Sequence, residues 1–480
     1  MLFNSIIFAI FLPIVFLLYW FATFKSVKLQ NWVVVIASFF FYGWWDWRFL
    51  SLLLISTCVV FFVGIGLSKN ENPMTRKILL LVSVLMNLGL LGFFKYYDFF
   101  LDNFISAFSL FGYRLQASTL NIILPVGISF YTFQTLSYSI DVYRKQLEST
   151  KDFIAFCAFV SFFPQLVAGP IERATNLLPQ FYCKRQFSYP KAVDGLRQML
   201  WGLFKKMVIA DNCAQFANMI FGNSDQYPGS ALFLGAVFFA FQIYGDFSGY
   251  SDIAIGTAKL FGVDLMVNFS YPYFSRDIAE FWRRWHISLS TWFRDYVYIP
   301  LGGSKGRKVS VVRNTCVIFL LSGFWHGANW TFIAWGALNA LYFLPLLLRR
   351  KNRVHIDIVA KGRFLPSFRE FSSIILTFLL TCLAWVFFRA LSITEALKYI
   401  GRTLSTTLFS NPNLGLKAYL VLLMVVMFVV VEWLGREQLY PIAQLFERMP
   451  RLLRWGSYYA LIFIIFFFSG AQQEFIYFQF

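Results

Sequence analysis

Charge is scarce in this chain. Only 14% of its 480 residues are Asp, Glu, Lys or Arg, where a soluble domain carries about 25%. That shortage excludes a soluble multidomain enzyme and a charge-rich disordered polypeptide. Histidine is scarcer still, with three in the whole sequence, and the six cysteines (Cys58, Cys157, Cys183, Cys213, Cys316, Cys382) are scattered without a CxxC pair. Neither a zinc site nor the disulfide framework of a secreted scaffold is indicated, and no metal is expected. No HExxH, GxGxxG or P-loop pattern occurs, which leaves metalloprotease, dinucleotide and P-loop chemistry without their residues. A cleavable leader is not expected, because the first apolar run, 2–24, has no basic segment before it and is long enough to stay as a helix.

What is abundant is apolar and aromatic side chain, at 58% and 21% of residues, with a mean hydropathy of +0.61. Apolar runs fall at about 2–24, 31–45, 49–68, 78–94, 120–140, 152–171, 231–262, 309–348, 371–388, 418–435 and 455–470. A crossing takes roughly 20 residues, so the sequence predicts an all-α polytopic membrane protein. Its net charge of +18 gathers in loops between those runs, with no basic domain clear of the membrane that would take nucleic acid. Lys25 and Lys28 follow the first run, and Lys69, Arg76 and Lys77 the third. By the positive-inside bias these loops, with 276–313 and 349–370, face the cytoplasm and the N-terminus lies outside. The piece 314–349 has basic flanks on both sides. It is expected to be a hairpin or broken helix that dips in and returns. The remaining crossings leave the C-terminal tail outside. No internal repeat interrupts what is expected to be one integral-membrane domain over 1–480, with N-terminal helices in 1–150, a core in 151–350 and C-terminal helices with an aromatic tail in 351–480.

Few residues in such a chain can do chemistry. His355 sits among Arg349, Arg350, Lys351 and Arg353 and is expected to be solvated. His326 lies in FLLSGFWHGANWTFIAWGALNALYF, 319–343, which holds no Lys, Arg, Asp or Glu. A titratable side chain at membrane depth is costly and marks a functional site by default. Gly323 and Gly327 are expected to open the backbone around its ring. His286 lies in RDIAEFWRRWHISLSTWFRDYVYIPLGG, 276–303. At ~100° per residue, Ile278, Phe281, Trp282, Trp285, Leu289, Trp292 and Phe293 share one face of a helix, and Arg276, Asp277, Glu280, Arg283, Arg284, Arg294 and Asp295 the other. The sequence predicts an interfacial amphipathic helix with His286 on the border between faces. Asp246 and Asp252 interrupt the apolar run 242–262, where Gly245, Gly249 and Ser251 suggest an unwound turn; Asp252 is expected to cap the following helix, and Asp246 to orient a histidine or an arginine. Glu172 and Arg173, in the Pro- and Gly-containing stretch 161–181, are expected to line an entrance at the membrane boundary.

These residues support general-base catalysis more economically than anything else. A histidine in a dry cavity stays neutral because desolvation disfavours its charged form. It can take the proton from a hydroxyl that attacks an activated acyl donor, an effect of about 10²–10⁴ in rate. A thioester needs little beyond that base, correct orientation and a donor for the developing oxyanion.

WHISLSTWFRDYVYIPLGG and GFWHGANWTF resemble the membrane-bound O-acyltransferase (MBOAT) family, and within it the bacterial branch of alginate O-acetyltransferase membrane subunits. The resemblance extends to FFFYGWWDWRFL, LPVGISFYTFQTLSYSIDVYR, VAGPIERATNLLPQF and the terminal QEFIYFQF. It implies a ring of about eleven tilted transmembrane helices, with re-entrant or interfacial helices, around a central tunnel joining the two faces. It implies His326 as the catalytic histidine and His286 as its supporting one. It also implies acetyl-CoA as a cytoplasmic acyl donor with no bound cofactor, a bacterial inner-membrane location, and a periplasmic SGNH-type partner that passes the acetyl group to an exported polysaccharide. A tyrosine of the tail motif receives the acyl group in related systems, which nominates Tyr477; as a plain aromatic belt, Phe475, Tyr477, Phe478 and Phe480 would only mark the interface. Trp325 and Asn329 either position the thioester or pack the hairpin, and Arg294 with Asp295 is either a ligand pair or a surface ion pair. Peptidoglycan O-acetylation and teichoic-acid D-alanylation are alternatives within the same chemistry. A polysaccharide transporter or flippase is the rival from another class, opposed by the single broken region near His326, since transporters carry such breaks in matching halves.

Overall fold

The computed structural model describes residues 1–23, 26–112, 120, 122–446 and 449–476. It is 74% helical, with no strand among the described residues. Eight of the described helices are long and apolar enough to cross a bilayer: Trp47–Lys69, Pro73–Leu110, Gly229–Leu260, Lys308–His326, Trp330–Leu348, Phe368–Arg389, Gly415–Gly435 and Arg451–Phe468, with Ile6–Ala22 and Val27–Gly43 shorter. The protein is an all-α polytopic membrane protein. Its residues group into two compact units, Met1–Ala192 with Thr257–Met266, and Val193–Gly256 with Val267–Phe480.

Within the first unit, polar side chains find each other between helices, as backbone and side-chain groups must where water is absent. Asn87 Oδ1 accepts from Ser56 Oγ (2.9 Å) and Thr135 Oγ1 (3.0 Å), and Ser83 bonds Ser139 (2.7 Å). The apolar runs 120–140 and 152–171 do not become long crossings. They give Ile128–Tyr143 and Phe153–Ser161, which are buried on nearly every side. A helix apolar all round reads the same whether lipid or protein surrounds it. Glu172 and Arg173 are buried rather than lining an entrance. The Glu172 carboxylate accepts from the Met266 amide (2.5 Å) and from Asn176 Nδ2 (2.8 Å).

In the second unit, the helix Gly229–Leu260 runs 32 residues without a break, so the unwound turn expected near Gly245, Gly249 and Ser251 does not form. The glycines serve a close approach instead. A Cβ on Gly249 would lie 2.8 Å from the Gly202 carbonyl oxygen, and one on Gly202 would lie 2.6 Å from that of Gly249. Gly202 belongs to Tyr189–Phe204, which continues through a widened π-helical turn, Lys205–Ala210, into Asp211–Gly222. This stretch was not evident among the apolar runs because its charged residues break the pattern. Asp252 caps nothing; it sits mid-helix and pairs with Lys205 (2.5 Å) while accepting from Gln198 Nε2 (2.8 Å).

The expected hairpin forms, with longer arms than expected. Lys308–His326 and Trp330–Leu348 pack against each other, and each is long enough to cross rather than merely dip. The single amphipathic helix expected over 276–295 is two, Ile278–Arg284 and Ile287–Phe293, broken at Trp285–His286. Its charged face is not simply solvated either. Arg276 and Glu280 are buried, and Glu280 pairs with both Arg276 (3.0 Å) and Arg284 (2.9 Å).

Gly249→Val forces side-chain bulk against the Gly202 carbonyl. We expect a loss of about 1–3 kcal/mol of stability, read as a lower melting temperature in detergent. Gly222→Ala, where nothing lies within 4 Å of the added carbon, leaves the melting temperature unchanged.

Candidate active site

His326 ends the helix Lys308–His326; the chain is extended at Gly327, and Asn329 caps the next helix. The Asn329 amide is engaged in that turn. Its Oδ1 accepts from the Thr331 amide (3.0 Å), and its Nδ2 donates to the Leu391 carbonyl (3.1 Å). Gly327 and Gly323 make room for Phe332 rather than opening backbone around the imidazole. A Cβ on Gly327 would lie 2.1 Å from the Phe332 ring, and one on Gly323 would lie 2.2 Å from its carbonyl oxygen. The imidazole of His326 stands across two aromatic rings, with centroids 5.2 Å from Trp335 and 5.2 Å from Phe388. It is 4% exposed.

His286 occupies the break between the two short helices, at φ +43° in the left-handed region, a conformation that costs on the order of 1–3 kcal/mol unless its surroundings impose it. They do. The Ile287 amide donates to the Asn268 carbonyl (2.9 Å), and the Ser270 amide to that of Arg284 (3.0 Å). Asn268 also sets the proton on the ring. Its Oδ1 accepts from Ser288 Oγ (2.7 Å) and from the Ser288 amide (3.4 Å), and its Nδ2 donates to Ser251 Oγ (3.3 Å). His286 Nδ1 lies 3.3 Å from that same Oδ1. The hydrogen-bond pattern therefore assigns the proton to Nδ1 and the lone pair to Nε2. Burial pushes this imidazole down to about 3, because desolvation disfavours the charged ring, and it is neutral at physiological pH.

The structure brings His326, His286 and Trp325 together. The Trp325 ring lies 4.9 Å from His326 and 6.0 Å from His286. Phe247 also meets His286, 4.7 Å away and nearly perpendicular. The other candidates lie elsewhere. Asp246, the neighbour of Phe247, pairs with Lys206 (2.6 Å) and accepts from the Ile476 amide (2.6 Å). It orients neither a histidine nor an arginine, because a closer cation and a main-chain donor take its oxygens. Arg294 forms an exposed ion pair with Asp295 (2.7 Å). Tyr477, with Phe478 and Phe480, lies outside the described residues.

Sequence reasoning missed Asn268, Phe247, Trp335 and Phe388. An asparagine inside the apolar stretch 265–274 was the one available signal, since an amide there needs several partners. Chemically, two imidazoles held in an aromatic enclosure suit proton transfer to or from a neutral nucleophile, with little competing water.

A family model described as MBOAT, the membrane-bound O-acyltransferase family, matches residues 39–388. The chain is similar to a probable alginate O-acetylase of Azotobacter vinelandii, 37% identical over 445 residues, which covers 92% of this chain and 86% of that one. It is similar to a peptidoglycan O-acetyltransferase of Helicobacter pylori, 37% identical over 429 residues and covering 83% and 79%. More distantly it matches a teichoic acid D-alanyltransferase of Streptococcus thermophilus, 28% identical over 320 residues and covering 59% and 74%.

Asn268→Leu removes the buried side-chain oxygen that accepts from His286 Nδ1 and Ser288 Oγ. We expect a stability loss of about 1–3 kcal/mol, checked by thermal unfolding of the solubilised protein.

Proposed function

This chain belongs to the membrane-bound O-acyltransferase family and is an acyltransferase; from that premise we propose that it moves acetyl groups from cytoplasmic acetyl-CoA towards a hydroxyl of an exported, alginate-like polysaccharide. The transfer uses a periplasmic SGNH-type partner, across a bacterial inner membrane. One observation carries the reading: His326, in a stretch without a charged residue, shares Trp325 with His286 inside an aromatic enclosure. His326 is the general base. The acceptor hydroxyl oxygen attacks the thioester carbonyl while His326 takes its proton. The C–S bond breaks, the imidazolium returns the proton to the departing thiolate, and an ester and free thiol result. His286 supports the reaction as a neutral group next to the same indole. The tail supplies the first acceptor, Tyr477, whose ester the partner then takes up.

The alginate O-acetylase relatives support an acetyl donor and a polysaccharide acceptor. The Helicobacter relative has the same 37% identity and supports peptidoglycan as a second acceptor. D-alanyl transfer has weaker support, from relatives at 28% and 26% identity. Membership in an acyltransferase family sets aside the transporter reading.

Two measurements test the proposal, both in proteoliposomes with radiolabelled acetyl-CoA and the partner enzyme. His326→Ala lowers acetyl transfer by about 10²–10⁴ at equal protein level; transfer that persists removes the catalytic assignment. Tyr477→Phe abolishes polymer acetylation while the protein still inserts and folds; an unchanged acetylation level leaves the tail as an anchor.

A further inference from the structure

Lys206, Asp211 and Asp246 are 8%, 1% and 2% exposed. Lys206 Nζ lies 2.9 Å from Asp211 and 2.6 Å from Asp246, so one cation faces two carboxylates. A buried ion costs several kcal/mol unless hydrogen bonds complete it, and here two carboxylates share one ammonium. The missing donors come from the C-terminal tail. The Ile476 amide donates to Asp246 Oδ2 (2.6 Å), and the Gln473 amide donates to Asp211. Lys206 Nζ in turn donates to the Gln473 carbonyl (3.3 Å).

The rest of the tail follows the same helix. The Gly470 amide donates to the Met207 carbonyl (2.9 Å), and Asn212 Nδ2 to that of Phe468 (2.8 Å). Asn218 Nδ2 reaches Gln473 Oε1 (3.4 Å). A Cβ on Gly470 would lie 2.7 Å from the Asp211 main chain, so the two backbones touch. Phe475 packs 5.0 Å from Tyr250 and 6.3 Å from Phe247, and Phe247 is the ring that meets His286.

We propose that Lys206, Asp211 and Asp246 form a clamp that docks the C-terminal tail in a single register, making them positioning residues for the acyl transfer that the tail performs. The proposal rests on the reading of Tyr477 as first acceptor. An apolar tail would be held as firmly by apolar contacts alone. Buried charges add register, because a slip of one residue takes an amide off its carboxylate and Phe475 off its ring. The clamp sets Phe475 against Phe247, the ring that meets His286.

The test uses the full chain in lipid nanodiscs. Asp246→Ala leaves Lys206 and Asp211 as a balanced pair, so the helices keep their fold. Hydrogen exchange of the peptide from 469 to 476 then quickens about 10–100-fold, while peptides from 229–260 and 308–326 keep their protection. Polymer acetylation falls about 10-fold or more, and hydrolysis of acetyl-CoA falls far less. Bridging Asn218→Cys to Gln473→Cys with a short bis-maleimide in the Asp246→Ala protein restores acetylation, which a merely structural loss would not allow. Unchanged tail exchange in Asp246→Ala overturns the clamp. So does a bridged, re-protected tail that fails to restore transfer. Normal transfer by Tyr477→Phe would instead remove the acceptor reading and leave the exchange result standing.

Discussion

Two lysines and two aspartates meet between one pair of helices, and much of the second unit is arranged around them. Lys205 pairs with Asp252 and Lys206 with Asp246, and glycines at 202 and 249 bring the two backbones close enough for those short side-chain contacts. Consecutive residues on a helical turn point in different directions, so the adjacent lysines serve different neighbourhoods. Lys205 lies 5.8 Å from the Tyr244 ring, and Tyr244 donates to Glu432 on Gly415–Gly435 (2.9 Å). Lys206 faces the tail. A paired charge that loses its partner in a dry interior is strongly destabilising, so the Lys205–Asp252 pair holds the two helices in one register, whereas Lys206 keeps Asp211 as a second partner.

The aromatic enclosure is a second consequence of scarce charge. Trp325, Trp335 and Phe388 surround His326, and Trp385 stacks on Trp335 at 5.7 Å. Rings give large apolar area with few rotatable bonds, so they form a stiff wall. The imidazoles are thereby held against unreactive surfaces. His286 owes its tautomer to one amide, Asn268, which also fixes the strained turn from which the ring projects.

His326 stood out in the sequence because its stretch holds no Lys, Arg, Asp or Glu, and the basic flanks of 314–349 foretold a hairpin. The motifs around both histidines carried the family. What stayed hidden was anything that depends on partners far apart along the chain: Tyr244 and Glu432 are separated by 188 positions, Lys206 and Gln473 by 267. No local period marks such pairs. The helical wheel over 276–295 failed for another reason. It assumed one continuous helix, whereas the left-handed turn at His286 is imposed by Asn268 and leaves no trace in hydrophobic spacing. The runs 120–140 and 152–171 misled because apolarity alone does not say whether a helix is surrounded by lipid or by protein.

The grip on residues 470–476 falls mostly on peptide amides and carbonyls, and the side chains of Ala471, Gln472 and Glu474 point into open space. Such a contact is indifferent to spelling and sensitive to counting. Those three positions can drift freely through evolution, whereas an insertion or deletion of one residue among them would put every later amide opposite the wrong oxygen. The length of this short stretch, rather than its composition, is what selection has to preserve.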